Sequence, residues 1–377
     1  MGERHHARTN SNDEDAHKAR TNGISEMSKQ AYQLLRESLT ERAADLFRRI
    51  LEKEPENNYA LVGLGDALRK DKRYDEAIRY YEECLKSHPG NNYALFGIAD
   101  CHKSLGRFDK AIEAWEEYLH HDDSNVTVLT RVADAYRKVR DYRKSTDFYK
   151  RVLELDRNNS YALIGLGHLH YDFKEYAEAL ECWKTMEDQG GRNVDIRVLT
   201  SIGNCYRKLK EYQEGVPYFE NALRKQPGNF YALFGMADCY RGMHETERSL
   251  FYWNKILEKD PNNKVILTRA GDAYRAMGDL ESAAGCYRKA LDIAFDVYAA
   301  MGLALVDRTL GKTESALSVL ADLIGEDPKN HRLYIETASC LEELGREKEA
   351  FDVLQKFREQ GLHNEIVEEY ALRLGAG

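Results

Sequence analysis

The five-residue stretch YALFG occurs twice in this chain, at residues 93–97 and again at residues 231–235. Close variants stand at 59–63 (YALVG) and 161–165 (YALIG), so successive starts are 34, 68 and 70 residues apart. A spacing of this kind is typical of proteins built from repeated supersecondary units that stack on their neighbours. It predicts a repeat array rather than two or three unrelated globular domains.

The segment 92–125 shows what one repeat contains. Apolar residues within 95–99 follow the spacing of one helix face, and Gly106 then breaks the pattern as a helix C-cap does. A second helical pattern runs over 108–119, before the turn formers Asp, Ser and Asn close the unit. Each repeat is therefore predicted to be a helix–turn–helix hairpin.

This unit resembles the tetratricopeptide repeat (TPR), a 34-residue hairpin with small and aromatic residues at fixed places. Places within a repeat are numbered from its first residue. The segment 196–229 matches the TPR pattern at Leu199, Gly203, Tyr206, Tyr212, Phe219, Ala222 and Pro227. The resemblance implies an all-α fold, a right-handed superhelical solenoid of helix–turn–helix hairpins.

The resemblance covers nearly the whole chain. It places ten repeats at 24–57, 58–91, 92–125, 126–159, 160–195, 196–229, 230–263, 264–296, 297–330 and 331–364. Residues 1–23 are polar and are expected to be a disordered tail. Residues 365–377 are expected to be a capping helix and tail, with one side against the last repeat: Ile366, Val367, Tyr370 and Leu374.

Two kinds of repeat alternate along most of the chain. Repeats three, five and seven open with YAL and carry the three tryptophans at place 24, while repeats four, six and eight open with VLT or ILT and carry Tyr or Phe there. We expect the tryptophans to be buried between hairpins: Trp115, Trp183 and Trp253. Duplication of a pair of repeats is the simplest explanation of this alternation.

Composition excludes several classes of function. The formal net charge is −9, which argues against binding nucleic acid or anionic membrane. No apolar run reaches the roughly 18–20 residues of a membrane span, and the absence of a signal-peptide pattern predicts a cytoplasmic protein. None of the 7 cysteines forms a C-x-x-C pair, so no zinc or redox site is predicted.

The TPR resemblance implies that the first helix of each repeat lines a concave groove, with places 2, 5, 6, 9, 12 and 13 facing inward. We expect an extended segment of a partner protein along repeats three to eight, its apolar side chains near the tyrosines and its acidic groups near the arginines. The candidate groove residues are Tyr93, Phe96, Asp100, Asp134, Arg137, Tyr161, Asn204, Arg207, Tyr231, Phe234, Asp238, Arg241, Asp272 and Arg275. The alternative is that each Asp pairs with the Arg three residues later and needs no ligand.

The sequence predicts no catalytic residue, metal ligand or cofactor site, because it has no phosphate-binding glycine loop, no H-E-x-x-H and no nucleophile–base pair. The predicted function is a non-catalytic scaffold that binds a protein or peptide partner. A structural scaffold that self-associates through its convex face or its ends is the first alternative. Single-stranded RNA binding is the second, and the negative net charge argues against it.

Overall fold

The computed structural model describes residues 23–191 and 194–375, and within them it contains 21 helices and no β-strand. Helix α1 covers 23–36. The others are α2 Thr40–Leu51, α3 Asn58–Lys70, α4 Tyr74–Ser87, α5 Asn92–Ser104, α6 Phe108–His121, α7 Val126–Lys138, α8 Tyr142–Leu155, α9 Ser160–Asp172, α10 Tyr176–Gly190, α11 Ile196–Lys208, α12 Tyr212–Lys225, α13 Phe230–Gly242, α14 Thr246–Leu257, α15 Lys264–Ala276, α16 Leu280–Ile293, α17 Val297–Thr309, α18 Thr313–Glu326, α19 His331–Glu343, α20 Glu347–Glu359 and α21 Glu365–Gly375. The tail predicted over 1–23 lies outside the described residues, apart from Gly23 in α1.

The chain divides into two compact units, Met1–Gln189 and Gly190–Gly377. Consecutive helices contact each other from α2 to α9 in the first unit and from α11 to α21 in the second. First helices of successive repeats also touch, α3 with α5 and α7 with α9 in the first unit, α11 with α13 and α15 with α17 in the second. Because each hairpin packs on its neighbours in sequence, each unit is a helical-repeat solenoid, as predicted.

The local sequence explains where the hairpin helices begin and turn. Most first helices start at an Asn cap: the Asn91 side chain, for example, accepts a hydrogen bond from the Ala94 N–H at 3.0 Å. The turn inside each hairpin needs a left-handed residue at place 15. Gly106 provides it with φ +72°, whereas Lys72 and His244 adopt φ +61° and +62° at the same place in other repeats. Such a conformation costs a non-glycine residue about 1–2 kcal/mol.

The glycine of YALFG has a packing role. A Cβ atom at Gly97 would lie 2.3 Å from the ring of Tyr81, and one at Gly235 would lie 2.2 Å from the ring of Phe219. Each ring is fully buried and belongs to place 24 of the preceding repeat. The same contact recurs at three further pairs: Gly63 with Phe47, Gly165 with Tyr149, and Gly302 with Tyr287. The glycine therefore lets the first helix lie directly against the aromatic ring of the preceding hairpin.

This contact gives the alternation of repeats a physical basis. Every repeat that follows a place-24 Tyr or Phe in these pairs has Gly at place 6. Repeats that follow a place-24 tryptophan carry larger side chains there, namely Arg131, Ser201 and Arg269. The identity of the ring in one hairpin thus determines which residue the next hairpin tolerates.

The tryptophans are buried, as the sequence predicted. Trp115 and Trp253 are fully buried and Trp183 nearly so. Their indole N–H groups have no hydrogen-bond partner among the described residues. Burying a donor without a partner costs free energy, so packing of the large ring must offset that cost.

The C-terminal helix α21 packs on the last repeat with three of the four residues predicted for its contact side. Val367 and Ala371 are buried, and Tyr370 and Leu374 pack partly against the same cluster. Ile366 was placed on the buried side, which was wrong, because 58% of its surface is exposed. Val367 and Ala371 are four residues apart and therefore lie on the same side of the helix, which is the side that packs. The prediction did not include Ala371 because its side chain is small.

Candidate functional site

The candidate site consists of the side chains at places 2, 5, 9 and 12 of the first helices. These places are three or four residues apart and therefore share one side of a helix. We call this surface the first-helix face. It is carried by α3, α5, α7 and α9 in the first unit and by α11, α13 and α15 in the second.

The tyrosines at place 2 are the most exposed part of the first-helix face. Tyr93 and Tyr161 expose 79% and 77% of their surface, and Tyr231 exposes 68%. Tyr59, at the same place in repeat two, exposes 65%. These rings lie in solvent instead of packing on the adjacent helix. Large apolar groups exposed at the same place of several repeats are typical of a binding surface.

The phenylalanines at place 5 are partly covered by side chains of their own and neighbouring repeats. The ring of Phe96 lies edge-on to Tyr118, with centroids 6.4 Å apart, and the Arg131 guanidinium lies 4.9 Å from its centroid. Phe234 lies edge-on to Trp253 at 5.1 Å. Both rings are half-buried. They form the floor of the first-helix face, while the tyrosines project from it.

Several aspartates at place 9 are bound within their own repeat. Each accepts a hydrogen bond from the place-24 tyrosine hydroxyl, and the pairs are Asp66 with Tyr81 at 2.8 Å, Asp134 with Tyr149 at 2.5 Å, and Asp272 with Tyr287 at 2.8 Å. Burial, reinforced by the adjacent carboxylate, raises the pKa of all three tyrosines above the ordinary value. These hydroxyls therefore stay protonated and keep donating at neutral pH.

Asp100 has a different environment because place 24 of its repeat is tryptophan. Its carboxylate accepts hydrogen bonds from Arg69 of the preceding repeat, at 3.3 Å, and from Arg131 of the following repeat. The aspartate thus links three successive first helices, α3, α5 and α7. Its side chain is 14% exposed, so the ion pairs are shielded from solvent.

Asp238 occupies the same place in the second unit and is also held by two arginines. Arg207 of the preceding repeat donates at 2.6 Å and Arg241 of the same helix at 2.7 Å. Burial alone would raise the pKa of Asp238, but the hydrogen bonds and charges of Arg241 and Arg207 hold it below its ordinary value. Asn204 also belongs to this network, since its side-chain oxygen accepts from Arg207 Nε at 3.2 Å.

The pairing expected inside one helix therefore holds for Asp238 with Arg241 and for Asp66 with Arg69, at 3.1 Å, but is not general. Arg137 pairs with Asp172 of the next repeat at 2.9 Å. Arg275 lies against the Tyr287 hydroxyl. The Nε atoms of Arg137 and Arg275 are buried and have no hydrogen-bond partner among the described residues. Side chains of the protein itself thus orient the arginines. These partner side chains belong to neighbouring repeats as often as to the arginine's own helix.

Sequence reasoning missed several members of this network. Arg131 stands at place 6, which was expected to face the groove, but it was not named as a candidate; the YAL-type repeats have Gly at this place. Arg69 was seen at place 12 but not linked to Asp100, 31 residues away. The sequence spacing could have indicated this pair, because Arg207 and Asp238, which also pair, are likewise 31 residues apart.

A cavity of about 830 Å³ lies at the N-terminal end of the first unit, among α1, α3 and α5. Its wall includes one tyrosine from each of these helices, Tyr32, Tyr59 and Tyr93. Repeat one departs most from the repeat pattern, so the sequence did not indicate this cavity.

The described ranges, 23–191 and 194–375, contain no group of three His, Cys, Asp or Glu side chains placed to hold a metal ion. In the same part of the chain, no helix combines the length and apolar character needed to cross a bilayer.

The stacked hairpins define a helical-repeat solenoid in each unit. Family models described as tetratricopeptide repeat match residues 29–92, 68–129, 128–160, 196–229, 231–263, 266–297 and 301–361. These matches cover most of the chain, and the protein belongs to the tetratricopeptide repeat family. Members of this family are protein-interaction modules and are generally not enzymes.

Solved TPR structures are similar to parts of the chain. A tetratricopeptide repeat protein from Parabacteroides merdae is 18% identical over 64% of this chain and 95% of its own, with a TM-score of 0.49. PilF of Pseudomonas aeruginosa is 18% identical over 57% and 96%, with a TM-score of 0.47. YrrB, described as a TPR protein with an unusual peptide-binding site, is 21% identical over 50% and 96%, with a TM-score of 0.43. No curated protein matches this chain closely in sequence.

Proposed function

We propose that this protein is a non-catalytic scaffold that binds extended segments of partner proteins on the first-helix face of each unit. The observation that carries this proposal is the exposure of the place-2 tyrosines beside half-buried phenylalanines. Apolar side chains of a partner would cover Tyr93 and Tyr161 in the first unit and Tyr231 in the second. Aromatic anchors of this kind contribute most of the binding free energy in many interfaces.

The arginines supply the polar half of the proposed recognition. In the second unit, places 6, 9 and 12 of α11, α13 and α15 carry four arginines but two aspartates: Arg207, Arg241, Arg269 and Arg275 against Asp238 and Asp272. The surplus of positive charge suits acidic side chains of a partner. Because Arg207 and Arg241 are already held by Asp238, a ligand would meet oriented guanidinium groups and order fewer side chains on binding.

The test is affinity capture of partners from a native lysate with the full chain as bait. The variant Tyr161→Ala with Tyr231→Ala should retain less than about a tenth of the captured partner, since truncating aromatic anchors costs about 1–2 kcal/mol or more. Circular dichroism should be unchanged because both rings are exposed. The matched control is Ile366→Ala with Leu372→Ala on α21, which removes equally exposed apolar side chains outside the face.

Charge is tested separately through Arg241, which is 51% exposed. Arg241→Glu should weaken capture, and the loss should be larger at low salt. Arg207 is unsuitable because its side chain is only 15% exposed, the more covered of the two partners of Asp238, and its removal would destabilise the fold. If the α21 control loses the partner and the tyrosine variant keeps it, binding occurs at the end of the array. Size-exclusion chromatography with light scattering and an RNA filter-binding assay would detect the self-association and RNA alternatives.

A further inference from the structure

Three tyrosines meet at the cavity among α1, α3 and α5, which makes it different from the rest of the first-helix face. Tyr59 and Tyr93 lie at the same place of helices α3 and α5, which contact each other. Both helices carry a tyrosine there because repeats two and three both open with YAL. Elsewhere in the first unit the types alternate, so α7 carries Thr127 at the place next to Tyr161. The Tyr32 hydroxyl donates to the Tyr59 carbonyl oxygen at 2.9 Å and fixes the third ring at the cavity wall.

The cavity has no net charge. The charged side chains around it cancel, and they are Lys29, Arg36, Glu54 and Asp66. The carboxylates are also already used as acceptors: Glu54 accepts from the Asn57 side chain at 2.7 Å, and Asp66 accepts from the Tyr81 hydroxyl at 2.8 Å. The Oε2 atom of Glu54 and the Oδ1 atom of Asp66 are thus bound within the protein.

Hydrogen-bond donors remain at the cavity wall. The side-chain oxygens of Asn58 and Asn91 accept from backbone N–H groups, at 2.8 Å from Tyr59 and 3.0 Å from Ala94. Their amide N–H groups are left as donors, together with the phenolic hydroxyls of Tyr59 and Tyr93. The wall thus combines aromatic faces with donors and lacks net charge.

We propose that this cavity binds a proline-rich segment of a partner protein in the polyproline II conformation. Proline has no backbone N–H, so such a segment presents carbonyl acceptors and apolar rings and no net charge, which is what the wall complements. One polyproline II turn of three residues advances about 9 Å, close to the roughly 8–10 Å between packed helices. Prolines three residues apart would therefore stack on Tyr59 and Tyr93 in succession. A volume of about 830 Å³ is sufficient for such a segment.

This inference rests on the proposed peptide-binding function, since Tyr93 belongs to both surfaces. The test is fluorescence anisotropy of labelled decaproline titrated with the full chain. We expect saturable binding with a stoichiometry of one. Tyr59→Ala with Tyr93→Ala should weaken it by about tenfold or more, as expected for the loss of two aromatic anchors. Leu372→Ala on α21 is the control, because that side chain is 69% exposed and lies outside both the cavity and the first-helix face, and the affinity should change less than about twofold.

Two comparison peptides complete the experiment. A Gly-Ser peptide and a decaglutamate of the same length should each bind at least about tenfold more weakly than decaproline, because the first lacks the preformed helix and the second carries charge. Absence of saturable decaproline binding, equal loss in Leu372→Ala, or preference for decaglutamate would overturn the proposal. These outcomes are independent of the capture experiment, whose Tyr161 and Tyr231 variant leaves this cavity intact.

Discussion

Gly235→Ala tests the packing of YALFG against the preceding hairpin. In an ordinary helix interior this change would stabilise the fold by about 0.8–1.0 kcal/mol, because Ala has the higher helix propensity. Here the new Cβ would lie 2.2 Å from the Phe219 ring, where carbon atoms normally stay about 3.5–4.0 Å apart. The ring is also closely packed against its own hairpin, because a Cβ atom added at Gly203 there would lie 2.7 Å from it. The ring therefore has little room to move away from a Cβ at residue 235.

The expected effect is therefore the difference between two terms. Overpacking a well-filled core costs about 1–3 kcal/mol, and the confined Phe219 ring places this site at the upper end. After subtracting the helix-propensity gain of about 1 kcal/mol, the variant should lose about 2 kcal/mol of unfolding free energy. For a unit of this size that corresponds to a fall of about 4–8 °C in the thermal midpoint.

The assay is thermal unfolding followed by circular dichroism, with Gly285→Ala as the control. Gly285 lies in α16, is exposed, and an added Cβ there meets no heavy atom within 4 Å. This control should raise the midpoint by about 2–4 °C. Phe219→Leu should partly rescue Gly235→Ala, with a coupling free energy of at least about 1 kcal/mol. If Gly235→Ala were neutral or stabilising, the glycine would not be a packing requirement and duplication alone would explain the motif.

Two further predictions concern stability. Asp238→Asn should lower the unfolding free energy at pH 7 by about 2–4 kcal/mol, because Arg207, whose side chain is only 15% exposed, would lose its carboxylate partner. Since the pKa of Asp238 is held below its ordinary value of 3.8, its charge stabilises the fold above about pH 4 and that contribution is lost as pH falls through the lowered pKa. Urea titrations should therefore show a shallower acid limb in the variant, and an unchanged acid limb would contradict the pairing. His244→Gly should raise the unfolding free energy by about 1 kcal/mol, because it removes a left-handed non-glycine residue, φ +62°, at the place where Gly106 stands in another repeat. Gly106→Ala is the opposite change and should destabilise; the same sign in both variants would refute the strain argument.

The sequence by itself determined the repeated hairpin and much of its packing. Helix starts at Asn caps, the break at Gly106 and burial of the tryptophans all follow from local spacing or from residue type, and a repeat multiplies each signal. The exposed positions of Tyr93, Tyr161 and Tyr231 were also expected from their place in the repeat. These features depend on contacts within one hairpin or with its immediate neighbour.

The tertiary structure decided which groups pair and which surfaces remain open. Asp134 and Asp100 occupy the same place, yet the first is bound by Tyr149 and the second by arginines of two other repeats. The cavity and the exposure of Ile366 likewise depend on how the array ends, where a hairpin lacks a neighbour and the repeat pattern no longer constrains the residues. Periodicity specifies which side of a helix a residue occupies. The partner of a polar group is set by distances between side chains on different helices. Those distances depend on how closely the helix backbones approach, which is closer where place 6 is Gly97 or Gly235 than where it is the larger Arg131 or Arg269.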